Sequence, residues 1–553
     1  MKNRILTFTA IATLLFASSC QSPEIDLPSE SRDGINSLTA SFMNDTRDEN
    51  SFSSEIDYDK GTITIVFPYT YPANSSSFLS MQDLTNMRMV ANLDDNVFVE
   101  PKLLYMDLSQ TNQITVTDQV GDKKTYTVTA EIRKSKECAI TDFNLKSMGL
   151  SGVVDEEAKT ISIVYLGEIG KVKADVVTSF GATMSPDPTA TALDYDSPVS
   201  IKVTAQDGVT SATYTVQKRV PEKTTFGMRS GSAKILWKKK MIDDIGITAD
   251  NMTGGMAVTS KYVVLNTRGT DMVYIDRATG ENAGTIALTE KGSLVNFYCT
   301  SDEEDNILVN NLAPNAGNFK VWRINGVTGT PEVYIDWATG GLPIGRKLSV
   351  RGKLSGNAII TAAFQGATKT FARWTVVGGA LASQTPEIVT INDAAIGAWN
   401  NNCDVIYADP AKVTSDYFMA CYATPRAHLW MDATTNAIKH QGAAISSNWI
   451  INAVDYTVFN GCPYAAFNSV NSFTWGADDK AYLYDVSTDD GMSKTVWECD
   501  PGVYGSKAAS GKANGNGTGD VALRVSDNGY YMYLYFMFTN GYVVCVQYDC
   551  IDM

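Results

Sequence analysis

Aromatic rings, amides and guanidinium groups recur through the second half of this chain at comparable places in a repeating strand pattern. One series is Asn251 and Met252, Asn296 and Phe297, Arg346, Trp399 and Asn400, Asn448 and Trp449, then Asp520. A second, interleaved series is Arg268, Asn315, Gln365, Arg426, Trp475 and Asn540. Rings stack on the apolar face of a sugar or another planar polar ligand, and amides and guanidinium groups fix its polar edges. This is the chemistry of capture. Trp399 and Trp449 would be explained equally well by packing between structural modules, and Arg346 and Asp520 by a mutual ion pair.

Other chemistries find little support. Only two histidines occur, His428 and His440. They are symmetric about Thr434 and would face each other across a hairpin as a weak metal site, or serve as packing and surface residues. Glycoside hydrolysis or polysaccharide cleavage needs two carboxylates across a bond, and in the first series only Asp520 supplies one. The stretch Gly511–Gly519 is rich in glycine but lacks the phosphate-loop spacing, so it reads as a flexible connection. Beyond Cys20 there are eight cysteines and no C-x-x-C pair. Cys403 and Cys421 fall on consecutive predicted strands and could pair; buried free thiols are the reading preferred for most. No cofactor is implied. The net charge of −16 repels phosphate backbones and argues against nucleic acid.

Bringing the two series together requires a radial architecture. A five-residue turn recurs as Asp276-Arg277-Ala278-Thr279-Gly280, Asn325-Gly326-Val327-Thr328-Gly329, Asp432-Ala433-Thr434-Thr435-Asn436 and Asp485-Val486-Ser487-Thr488-Asp489. The leading Asp or Asn accepts backbone N–H groups, and the last position favours residues that tolerate positive φ. With a degenerate member at Val377, the turns repeat about every 50 residues, the period of four-stranded propeller blades. Residues 224–553 are therefore expected to form a β-propeller of six blades, with seven as the alternative. Lys234–Lys240 is expected to supply the strand missing from the last blade, so that strands from both ends of the domain close the ring. Its opening stretch, Gly254 to Asp276, resembles the first blade of Bacteroidetes lipoprotein propellers.

The first half carries an internal repeat. Ile56–Phe67 matches Val154–Tyr165, and the closing hairpins Ile114–Val128 and Ile201–Val216 match as well. Alternation of β-branched and polar residues gives half-buried strands. Residues 33–134 and 135–221 are expected to be two Ig-like sandwiches, making the whole chain all-β. They resemble the tandem modules of unknown function that begin many Bacteroidetes surface lipoproteins, where they would act as spacers.

Lys2 and Arg4 precede an apolar run, Ile5–Phe16, that is short of the roughly 20 residues needed to span a bilayer. Ala17-Ser18-Ser19-Cys20 resembles a lipoprotein cleavage box. The resemblance implies a signal peptide at 1–19, lipidation of Cys20 and an acidic tether at 20–32, similar to those that direct lipoproteins to the cell surface. Membrane attachment would be by lipid alone. The composite is similar to nutrient-capture lipoproteins of starch-utilisation-type systems. It implies an outer-membrane protein that binds a nutrient, foremost a glycan, for a TonB-dependent transporter. The alternatives are a propeller glycoside hydrolase or lyase, capture of a corrinoid or siderophore, and a protein-binding adhesion or scaffold protein.

Overall fold

Alternating apolar and polar residues set the architecture: Thr62–Pro68 buries every second side chain, as a strand with one face on a core must. The computed structural model describes residues 34–45, 50–473 and 475–552, and the fold is all-β. The chain forms two units, Met1–Val220 and Pro221–Met553. The expected signal segment, Cys20 and the tether lie outside the described residues.

The first unit holds two modules. In the first, a three-stranded sheet (Ile35–Phe42, Met87–Leu93, Tyr105–Met106) and a five-stranded sheet bury a common core that includes Leu38, Met89, Ile65 and Tyr126. In the second, a seven-stranded sheet curls around a core built on Phe143, Ile161 and Tyr214. The repeat read from sequence reappears as strand pairing. Thr62–Pro68 runs parallel to Lys123–Arg133 with Thr62 opposite Thr127, and Thr160–Val164 runs parallel to Ser211–Arg219 with Thr160 opposite Thr215.

The second unit is built from six antiparallel sheets. The first has Thr253–Val258, Tyr262–Thr267, Met272–Asp276 and Asn282–Ile286; the second has Tyr298–Ser301, Asn306–Asn310, Asn318–Asn325 and Glu332–Ala338. The third has Ser349–Gly352, Ala358–Ala363 and Thr370–Val377, with Ala380–Leu381 and Glu387–Thr390 both paired to the last of these. The fourth runs Cys403–Tyr407, Tyr417–Cys421, Leu429–Asp432 and Ala437–Gln441, and the fifth Ile450–Phe459, Cys462–Val470, Lys480–Asp485 and Trp497–Glu498. The sixth combines Gly519–Val525, Tyr531–Phe538 and Tyr542–Asp549 with Lys234–Lys240 from the other end of the unit. That pairing gives Tyr542–Asp549 a ladder partner on both sides, and Arg229 fastens it with a fork onto Asp549 at 2.8 and 2.7 Å.

The first strands of the six sheets touch in cyclic order, the sixth returning to the first. An innermost strand has no ladder partner on its inner side, so its N–H groups need other acceptors. Side chains of adjacent innermost strands provide them. Ser301 Oγ accepts from Val258 N at 2.9 Å, Asp404 from Val454 N at 3.1 Å, Asp455 from Leu523 N at 2.7 Å, and Asp520 from Met256 N at 2.8 Å. Gly255 permits close approach of the first two of these strands, since a Cβ there would sit 2.4 Å from Cys299 N. Large rings fill the space between sheets, as Phe319 does on Trp374 at 5.7 Å.

The recurrent turns behave as their residues require. Asp276 accepts from Ala278 N and Thr279 N at 3.0 and 2.9 Å, Gly280 takes φ +73°, and Asp432 accepts from Thr434 N at 2.7 Å before Asn436 at φ +54°. They join third to fourth strands and lie at the end opposite the two residue series. One expectation is corrected. The glycine-rich stretch 511–519 is tied down: Asn514 is buried and bonds both ways with Thr518, Gly515 N donates to Asn251, and Asn540 donates to Ala513 O.

Candidate functional site

Loops leading into the innermost strands, and loops between second and third strands, emerge at one end of the six-sheet unit. The axis beneath them is closed by a polar cluster. Asp520 accepts from Tyr298 Oη at 2.7 Å; Lys347 Nζ lies 3.4 Å from Asp520 Oδ1 and donates to Gly519 O at 2.8 Å. Burial raises the Asp520 carboxyl to about 6, with Lys347 and the Tyr298 hydroxyl acting against it. Burial also raises Asp404 and Asp455, opposed by Lys347 and Arg524 respectively. Within the cluster lies a cavity of about 20 Å³, lined by Tyr298, Ser349, Asp404, Asp455, Asp520 and Arg524 among others. That is room for a water molecule and no more.

Several residues of the two series therefore belong to the framework. Asp520 is a strand-to-strand peg, and its cation is Lys347 rather than Arg346. Trp399 is 1% exposed, inside the core between the third and fourth sheets, with its indole N–H on Phe364 O at 2.7 Å. A large ring beside a gap between diverging sheets gains more by burial than by display. Asn296 is a saturated amide: it donates to Asn266 Oδ1, Thr267 O and Thr270 O, and accepts from Gly269 N and Gly292 N. Asn251 and Asn540 bind each other and the 511–519 loop. Asn400 is exposed, but its carbonyl holds Gly366 N at 2.7 Å. Asn315 is exposed and Met252 half-buried.

Two groupings remain, one exposed and the other around the buried ring of Phe297. The first is an aromatic ledge over the fourth and fifth sheets. Trp475 is 49% exposed, its indole N–H fixed on Asn448 O at 2.8 Å and its ring centroid 4.8 Å from Phe473. The neighbouring carbonyl of Ser447 accepts from Tyr422 Oη at 3.1 Å and from Arg426 at 3.3 Å, and the Arg426 guanidinium lies 4.6 Å from the Tyr422 ring centroid. Asn448 is exposed and Trp449 half-buried on the same connection. Rings held by their polar edges, with amide and guanidinium donors alongside, form a fixed stacking surface. Phe473 and Tyr422 escape the sequence reading; their proximity to Trp475 and Arg426 was the available signal.

The second grouping spans the first three sheets. The guanidinium carbons of Arg268 and Arg346 lie 4.8 and 5.9 Å from the ring centroid of Phe297. Arg268 donates to Met252 O and Asn251 O. Burial lowers both guanidinium pKa values, and Arg346 lowers that of Arg268 further by repulsion.

The two histidines do not meet. His440 pairs with Trp430, leaving His428 two positions further along. His428 is fully buried among Phe467, Tyr482 and Tyr484, with Nδ1 2.9 Å from Tyr484 Oη, and burial lowers it to about 3. Among the described residues, no group of three or more His, Cys, Asp or Glu side chains is placed to hold a metal ion. Cys403 and Cys421 stand directly opposite in register, and all eight described cysteines are free. Among the described residues no helix is long and apolar enough to cross a membrane.

Comparison with known proteins finds three families. Residues 236–549, more than half of the chain, match Domain of unknown function (DUF8500). Residues 14–130 match Domain of unknown function (DUF5018), and residues 140–218 match Domain of unknown function (DUF8499). No curated protein matches the sequence. The crystal structure of a DUF4623 family protein from Bacteroides eggerthii is similar at a TM-score of 0.46 and 14% identity, over 75% of this chain and 99% of that one.

Proposed function

We propose that this chain, which belongs to the DUF8500 family through residues 236–549, is an outer-membrane surface lipoprotein that captures a glycan for transporter-mediated uptake. In this reading Cys20 carries the lipid, residues 33–134 and 135–221 are Ig-like spacers along the chain, and the six sheets are blades of a propeller closed by strands from both its ends. The observation that carries the reading is the ledge of Trp475, Phe473 and Tyr422, in which Trp475 and Tyr422 are locked by their own polar atoms and Phe473 packs on Trp475, while their surroundings offer Asn448 and Arg426. A ring immobilised before binding loses little entropy when a sugar stacks on it.

The closed hub supports a ligand lying along the surface over one swallowed by a deep cavity, and so favours an extended chain over a corrinoid-sized guest. The carboxylates nearest the axis are occupied by backbone N–H groups and Lys347, which supports capture over hydrolysis. The test is affinity electrophoresis of the soluble form starting after Cys20 in a panel of neutral and acidic polysaccharides. At least one polymer should retard it, and Trp475→Ala should weaken that retention at least about tenfold, the scale of a lost stacking contact, with an unchanged melting curve. Retention indifferent to Trp475→Ala removes the ledge from the site.

A further inference from the structure

Several arginines of this unit have carboxylates: Arg229 forks onto Asp549, Arg373 reaches Glu387, and Arg524 reaches Asp455; Arg277 and Arg426, which have none, donate to Tyr535 Oη and to carbonyl oxygens. Arg268 and Arg346 differ. Both approach the Phe297 ring, and no carboxylate among the described residues pairs with either. Arg346 Nε is buried without an acceptor, and so is Gln365 Nε2. The backbone N–H of Gln365 donates to Pro343 O at 2.8 Å and Ile344 bridges Phe364, so Gln365 lies beside the connection that carries Arg346. Two cations beside one ring, in a chain of net charge −16, repel each other and leave buried donors unused. An anion would satisfy the donors and the charge together.

We propose that Arg268, Arg346 and Gln365 form a subsite for an anionic group of the bound glycan, a carboxylate or a sulfate ester, seated against Phe297. This deepens the glycan reading and rests on it. A guanidinium presents parallel N–H groups that match two oxygens of either anion. The lowered guanidinium pKa values are consistent with a site that gains by binding negative charge.

Two matched pairs of polymers separate the sources: polygalacturonate against its methyl ester for carboxylate, and carrageenan against neutral agarose for sulfate. The soluble form should bind the acidic member of one pair at least tenfold more tightly than its neutral partner. Arg346→Gln and Arg268→Gln should each abolish that preference, and Arg346→Lys should retain part of it, with melting curves confirming that each variant is folded. Equal binding of acidic and neutral partners overturns the subsite and leaves the ledge standing, as does a preference untouched by either Gln substitution. Binding to none of the four, with none in the wider panel, overturns subsite and glycan reading together.

Discussion

Replacing Lys347 by Met would show whether charge holds the hub. The side chain is 3% exposed, donates to Gly519 O at 2.8 Å and lies 3.4 Å from Asp520 Oδ1. Methionine keeps most of its length and volume, so packing changes little. At pH 7.5 the substitution leaves Asp520 as a buried carboxylate without its cation, and breaking such a pair costs about 3–5 kcal/mol. Asp520 already titrates at about 6 because burial outweighs Lys347, and losing the cation moves it higher. At pH 4.5 the carboxyl is protonated in both proteins, and the penalty shrinks to the lost hydrogen bonds, about 1–2 kcal/mol. The sign follows from a folded pKa above the ordinary 3.8. The contribution of Asp520 to stability is complete below about pH 4 and is lost as pH rises through 6, and the variant extends that loss upward. All 9 tryptophans lie between Trp237 and Trp497, so urea unfolding followed by their fluorescence reports on the six-sheet unit alone. A penalty at pH 7.5 no larger than that at pH 4.5 would refute the account of the hub as a buried ion pair.

Trp399→Ala should destabilise the same unit by about 3–5 kcal/mol, the cost of emptying a large core site. Trp399→Phe should fold and retain any polymer that wild type retains, and selective loss of retention in that folded variant would return Trp399 to the site. His428 should stay neutral far below the usual histidine range, since burial lowers it to about 3. The unfolded chain takes up that proton near pH 6.5 and the folded one does not, so stability present above 6.5 falls as pH drops, by about 3 kcal/mol at pH 4.5. His428→Phe should flatten this limb of the stability profile measured by the same fluorescence, and an unchanged slope between pH 6.5 and 4.5 would show that His428 does not cause it.

Strand identity and strand pairing were legible where short-range chemistry decides them. The Asp276 and Asp432 turns form because a carboxylate two or three residues upstream is the nearest acceptor, and the repeat of Thr62 and Thr160 is visible in the letters themselves. The pairing of Lys234–Lys240 with Tyr542–Asp549 was legible by subtraction, since a terminal sheet short of one strand has few places to find it. The side-chain placement at the candidate site was not legible. Trp399, Asn296 and Asp520 turned inward, while Trp475 stayed exposed.

The reason is physical. Local sequence determines backbone hydrogen bonding and the two-residue alternation of a strand, and so the sequence alone determined an all-β chain, its repeats and its lack of histidine-rich chemistry. Whether a loop tryptophan becomes core or surface depends on the gap between two sheets that are dozens of residues apart. Whether an arginine finds a carboxylate depends on which neighbour reaches it first: Lys347, one residue along from Arg346, took Asp520. Those are competitions between distant segments for the same space and the same charge, and only the assembled tertiary structure decides them.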